Sequence, residues 1–550
     1  MLSFTFWKRK CYALLIGLSL LSSQSYSDEF AFDPPKNFTV SPEYIAVHHP
    51  VNTKEACAQL YFDQGLTFLY AFNHEAAYWS FFKASEIDPN MAMAYWGQAL
   101  VLGSNINMEI TSNRKKIAYD AVEKALRLSE NGPDNEKAYI SALKNRYSNN
   151  ANADEHELAV RYSEAMKELM NQFPDDPDAA VLYAESLLDI SPWYQWSLDG
   201  KPQKGTNEAI AALESVLIRN PMHLGANHYY IHVMEASPFP YRALMSADRL
   251  KTLLPSSGHI LHMPSHIYLL VGDYEQAALT NERAIASDRE YIRKYGIRGI
   301  YPVHYLSHNY HFLSQAYSMQ GSYHRAKRAA QELSDLYLPH FTTMPELEEY
   351  ASTLMFVYLR FHKWKELLNL PKPSDDMHIT RALWHFGRGV AFASLGDSPK
   401  AAEEQKLFLA ETEIPASAKY GYNEASKILK LAQFYLEAIL AQAGNQSANA
   451  MDSLKKAVKE QDNLDYDEPP NWLFSVRDTL GAALLKKGQF ADAEEVFREN
   501  LKRHPRSGRS LFGLKQSLAA QSKWADYYWV NKAFQNAWKF SEIELTENNL

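Results

Sequence analysis

The chain has 550 residues, 46% hydrophobic and 22% charged, too long for one compact core and too apolar for a disordered polymer. A formal net charge of −9 with no basic cluster excludes a nucleic-acid binder. Two cysteines exclude a disulfide scaffold, and 22 Gly and 25 Pro beside 34 Tyr favour helices over a turn-dense β fold.

At the start, Lys8, Arg9 and Lys10 precede an apolar run over 13–21 and a small-x-small site at 25–27. This pattern predicts a cleavable secretory signal over 1–27 and a periplasmic or secreted protein, with an uncleaved anchor as the alternative. Cleavage would remove the three basic residues, leave a mature charge of −12, and leave Cys57 as a lone thiol with no internal partner. No later segment is apolar enough to cross a bilayer, so the mature chain should have no transmembrane helix.

Residues 28–57 form an N-terminal extension, after which self-similarity organises the chain. "GLTFLYAFNHEAAYWSFFKASEIDPN" sets Gly65, Ala77, Ala84 and Pro89 in order, and "LGAALLKKGQFADAEEVFRENLKRHP" repeats the theme with Gly481, Gly488, Ala493, Phe497 and Pro505. Turn-then-Ala signals recur around Gly272 and Gly396. Small residues let the two helices of a hairpin approach, aromatics fill between hairpins, and Pro ends the second helix. These features resemble tetratricopeptide (TPR) repeats, and imply an all-α solenoid of roughly eight to ten hairpins. Insertions fall at 191–205 and 288–302, and the prolines of 371–376 mark a seam. The expected layout is one TPR-like array over 58–340 and a second over 341–550.

Ten of the 19 histidines lie between His223 and His324. His228 and His262 are 34 residues apart, as are His232 and His266, so the two pairs occupy equivalent positions in consecutive repeats. His308 and His311 precede Gly321 by the same offsets as His259 and His262 precede Gly272. Spacings of three and four place each set on one helix face. The predicted site is therefore His228, His232 and Glu235, then His259, His262 and His266, then His308 and His311, all facing the concave side of the array.

Three readings fit such a face: core histidines satisfied by neighbours, a clamp for an anionic peptide, or ligands for a divalent transition metal (Zn, Cu or Fe). Three aligned sets with a carboxylate favour the metal. Eight candidates exceed one tetrahedral shell, so two ions bind or some residues stand behind the ligands. Asn227, Asn281, Asp288, Asn309, Tyr229, Tyr230, Tyr301 and Tyr305 are candidates for that supporting role.

The blocks "HLGANHYYIHVMEAS", "GHILHMPSHIYLLVGDY" and "YLSHNYHFL" are similar to those of a group of exported bacterial TPR proteins. So are "FNHEAAYWSFFKASEIDPNMAMAYWGQAL" and "DEPPNWLFSVRDTLGAALLKKGQF". The resemblance spans most of the mature chain and also highlights His74, Glu75, Asn105, Asn107, Glu468, Trp472 and Arg477; it implies no particular activity. HExxH, GxSxG and phosphate-cradling Gly loops are absent. The expected function is a metal-binding site, with metal-dependent chemistry on a small-molecule or peptide ligand in the groove and Glu235 as the candidate catalytic base. The alternatives are a non-catalytic scaffold for an envelope protein partner, and metal storage or delivery.

Overall fold

The computed structural model describes residues 30–550 except 151 and 300; the signal expected over 1–27 lies outside them. Among the described residues the chain is all-α apart from one small antiparallel hairpin, Lys419–Tyr420 with Asn423–Glu424. No described helix is long and apolar enough to cross a membrane. The chain divides into two compact units, Met1–Pro192 with Ala211–Ala226, and Trp193–Ile210 with Asn227–Leu550. The 340/341 boundary and the 371–376 seam both fall inside the second unit.

In the first unit, helices Ala56–Tyr70, His74–Ile87, Ala92–Leu102, Ser112–Ser129, Asp134–Lys144, Glu155–Gln172 and Pro177–Leu188 follow one another, each packing on its neighbour in the chain. Asn73 caps the second helix by accepting from the Ala76 amide, which satisfies one of the donors a helix start leaves open. Phe81 is fully buried between Gly65 and Gly97, where a Cβ would stand 2.7 and 2.5 Å from its ring.

The second unit repeats the device sixteen residues at a time: Phe497 is fully buried between Gly481 and Gly513, where a Cβ would meet its ring at 2.4 and 2.1 Å. Helical hairpins again follow in succession, with Tyr274–Tyr295 against Ser307–Gln320, Ser307–Gln320 against Tyr323–Tyr337, and Val476–Lys486 through Trp524–Ala537 at the C-terminal end. That end returns onto the histidine-bearing repeats. The Tyr274 hydroxyl donates to the Pro505 carbonyl at 2.9 Å, the Ser322 hydroxyl to the Phe540 carbonyl at 3.0 Å, and the His324 amide to Glu542 at 2.7 Å. Gly272 and Gly321 turn the chain at φ +77° and +79°, a left-handed conformation that favours glycine. Each also lacks room for a side chain: a Cβ on Gly272 would lie 1.9 Å from the Pro505 carbonyl oxygen, and one on Gly321 2.4 Å from the Ser541 hydroxyl.

The stretch expected as one histidine-faced helix is two short ones, Gly258–His262 and Pro264–Leu270. Pro264 has no N–H to continue the helical ladder, so the chain breaks there while the flanking residues stay helical. Gly258 opens the first piece against Asp288, whose Oδ1 would lie 1.9 Å from any Cβ at that position. Asp288 is itself held by the Tyr301 hydroxyl and the Asn309 amide, each at 2.7 Å.

Candidate metal centre

Six of the eight candidates converge in the second unit as two trios. His228 and His232 project from one turn to the next of the helix Leu224–Glu235 and meet His259. The Nε2 of His228 lies 3.0 Å from the Nε2 of His232 and 3.1 Å from that of His259. In the second trio the Nε2 atoms of His262 and His266 are 2.7 Å apart, and His308 from the helix Ser307–Gln320 completes the group. His228 and His262 are 0% exposed, so the site is enclosed, not displayed on an open groove as the sequence reading had it.

What stands behind these rings decides which nitrogens face one another. His232 Nδ1 is 2.8 Å from Glu235 Oε1, and His266 Nδ1 is 2.5 Å from Glu235 Oε2. His262 Nδ1 is 2.7 Å from the side-chain oxygen of Asn281. A carboxylate or amide oxygen can only accept, so each of these Nδ1 atoms is the protonated one, and in the neutral rings of His232 and His262 the Nε2 carries a lone pair. Glu235 thus stands behind one ring of each trio. His266 Nδ1 also lies 2.7 Å from Glu468 Oε2, a carboxylate about two hundred residues further along the chain. Glu468 in turn accepts from the Tyr466 hydroxyl at 3.2 Å.

Burial keeps most of the imidazoles neutral. It pushes His232 down to about 3 and holds His259, His262 and His308 well below the usual histidine range, with the neighbouring imidazoles adding to the effect. His266 departs in the other direction: burial opposes its charge, but Glu468 and Glu235 raise it to about 10. Burial, with Glu235 beside it, lifts Glu468 to about 7.

Aromatic rings shut the centre off. The Trp193 ring lies edge-on to His232 at 5.7 Å and Tyr305 edge-on to His259 at 5.2 Å, while Phe312 stacks on His266 at 4.5 Å. Trp193 belongs to the inserted segment 191–205 and sits at φ +65°, a strained conformation for a bulky residue. Trp196 of the same segment anchors it by donating from Nε1 to the Val233 carbonyl at 2.7 Å.

The remaining sequence-flagged residues lie elsewhere. His311 turns away from both trios and meets the Tyr350 ring edge-on at 5.3 Å. Arg477 is committed to Asp462 through two bonds of 2.7 and 2.6 Å. His74 contacts Asn105 at 3.5 Å in the first unit, Asn105 accepts from the Asn107 amide, and Glu75 accepts from the Ala31 amide. Among the proposed supports, Asn281 holds a trio ring, whereas Asp288, Asn309 and Tyr301 bond to one another.

Sequence reasoning placed Glu468 among the highlighted residues without a role; the Pro-Pro segment beside it was its only local signal. It also missed a group in the first unit. There Asp178 is held by the Tyr70 hydroxyl at 2.6 Å, His49 Nδ1 at 2.8 Å and His223 Nε2 at 3.2 Å, with Asp176 close by. Three donors already satisfy this buried carboxylate, so the group reads as a structural hub.

No protein-family model and no curated protein matches the chain. Among solved structures, the chain is similar to the APC/C hetero-tetramer Cut9–Hcn1, at 14% identity over 87% of this chain and 79% of that one, with a TM-score of 0.33. The human IFIT1 dimer with m7Gppp-AAAA is 12% identical over 82% and 90%, at 0.34. Yeast Tom70 is 12% identical over 87% and 92%, at 0.29. At these TM-scores the likenesses say nothing of what this chain does.

Proposed function

We propose that this is an exported, metal-binding helical-repeat protein whose two histidine trios each hold one divalent transition ion. The observation that carries the reading is the set of facing Nε2 atoms at 2.7–3.1 Å, with Nδ1 tied to an oxygen in His232, His262 and His266. Where both facing nitrogens carry lone pairs, so close an approach is repulsive unless a cation lies between them. An ion about 2.0–2.1 Å from each nitrogen in a tetrahedron sets neighbouring donors about 3.3 Å apart. The first trio is near that spacing, and the 2.7 Å pair would open by about half an ångström to reach it.

A shared proton is the competing account, and it serves only one of the trios. His266, held charged by Glu235 and Glu468, can donate from Nε2 to His262. At the other trio, one N–H on His228 can point at His232 or at His259 but not linearly at both.

When bound, the ion supplies Lewis acidity or redox capacity toward water or dioxygen. Glu235 orients His232 and His266, Asn281 orients His262, and Trp193 and Phe312 exclude bulk water. Glu468, poised near neutrality beside His266, can accept or return a proton at Oε2. The test is metal content after loading the purified protein with Zn²⁺, Cu²⁺ or Fe²⁺ and removing the excess. Two ions per chain are expected, falling to one in a His262→Ala/His266→Ala double variant of unchanged helicity. No uptake of any of the three metals sinks the proposal.

A further inference from the structure

A cavity of about 240 Å³ lies in the second unit beside the histidine centre, with His266 and Glu468 in its wall. Leu269, Phe312, Met319, Trp472 and Leu473 make much of that wall apolar. Arg360, at the end of the helix Thr353–Arg360, also lines it and is 5% exposed.

Although five acids line this cavity, Arg360 has none of them in direct contact. Arg360 donates from Nε to the Ser318 carbonyl at 2.9 Å and from Nη2 to the Met319 sulfur at 3.3 Å; among the described residues Nη1 makes no hydrogen bond. Arg509, equally buried, donates to the carbonyls of Asn549 and Arg360, and its Nε has no partner. Among the described residues no carboxylate lies within 4.0 Å of either guanidinium. Asp478 is the one acid whose field reaches both, and it already accepts from Ser510 at 2.6 Å and Asn500 at 3.0 Å. The other acids in the wall are engaged: Asp462 by Arg477 and Arg503, Asp465 by Lys427, Glu468 by His266, and Asp467 by the amides of Tyr422 and Glu468. A buried guanidinium without a counter-ion is costly, and its planar fork suits a carboxylate.

We propose that this cavity binds a small organic monocarboxylate, its carboxylate on Arg360, its chain along Phe312 and Leu473, and its far end beside His266 and Glu468. The volume holds several waters and has room for a short-chain carboxylate. The placement of the far end at a reactive centre rests on the metal reading; the carboxylate site does not.

The probe is hexanoate, measured by calorimetry on the full chain, metal-free and Zn²⁺-loaded, beside hexan-1-ol and inorganic phosphate. Hexanoate is expected to bind at least tenfold more tightly than hexan-1-ol to both forms, and phosphate should not displace it. Arg360→Gln, checked for unchanged melting temperature, should weaken hexanoate at least tenfold and leave hexan-1-ol unaffected. Equal binding of acid and alcohol, binding of neither, or displacement by phosphate overturns the proposal. The comparison on the unmutated chain decides this even if the variant does not fold. Hexanoate binding without metal uptake would overturn the metal centre alone; the converse would overturn the carboxylate site alone.

Discussion

Glu235 and His266, thirty-one residues apart, meet at 2.5 Å, Oε2 against Nδ1, while the other oxygen of the same carboxylate holds His232 Nδ1 at 2.8 Å. One side chain therefore sets the ring orientation in both trios. Glutamine has a single acceptor oxygen, so Glu235→Gln must leave one Nδ1–H facing an amide N–H₂. Loss of such a supporting partner typically weakens metal binding about 10–100-fold. The expected outcome is that Glu235→Gln lowers Zn²⁺ affinity at one of the two trios, read in a titration against a competing chelator.

Asn281 supports His262 alone, and its own amide is anchored on the Ala277 carbonyl at 2.7 Å. Asn281→Leu removes the acceptor while filling similar space. One of two ions should then weaken about tenfold or more and the other stay unchanged. Equal weakening of both sites would show that the trios do not act as separate centres.

His311 gives a pH prediction free of the metal. Burial pushes it down to about 3, against an unfolded value of about 6.5. Between those values the unfolded chain binds the extra proton, so this residue's contribution to stability is intact above about pH 6.5 and is lost as pH falls. His311→Phe keeps an aromatic ring against Tyr350 and removes the titration. From pH 7 to pH 5 the metal-free parent should lose about 2 kcal/mol more than the variant in urea unfolding.

The Phe497 ring is walled on both sides by glycines, so each wall is testable. Gly513→Ala brings a methyl to 2.1 Å from the ring, and overpacking of about 1–3 kcal/mol outweighs the gain in helix propensity. Phe497→Ala should cost about 3–5 kcal/mol through the void it leaves. Gly513→Ala combined with Phe497→Leu should cost less than the sum of the two single changes, since the smaller side chain yields the space. Thermal unfolding of the parent, Gly513→Ala, Phe497→Ala, Phe497→Leu and the double variant checks this, and strict additivity of Gly513→Ala with Phe497→Leu would refute the packing account.

The histidine alignment was legible because it is local and periodic. His228 and His232 share a face by the pitch of one helix, and the 34-residue match to His262 and His266 follows from the hairpin repeat. The turns at Gly272 and Gly321 were readable for the same reason. His311 had the right spacing, yet it faces Tyr350, because side-chain direction depends on the neighbours that a broken and inserted repeat brings up.

The sequence by itself determined the all-α hairpin repeat and which helices carry imidazoles, since both depend on short-range periods that pack in only one way. Only the tertiary structure decided that the C-terminal helices return to bury those imidazoles and that Glu468 reaches His266. It also decided that Glu235 stands behind the rings of His232 and His266, and that Arg360 lies buried without a carboxylate beside it. Contacts between distant residues leave no period in the chain, and a ring nitrogen becomes donor or acceptor only through the partner that folding places against it.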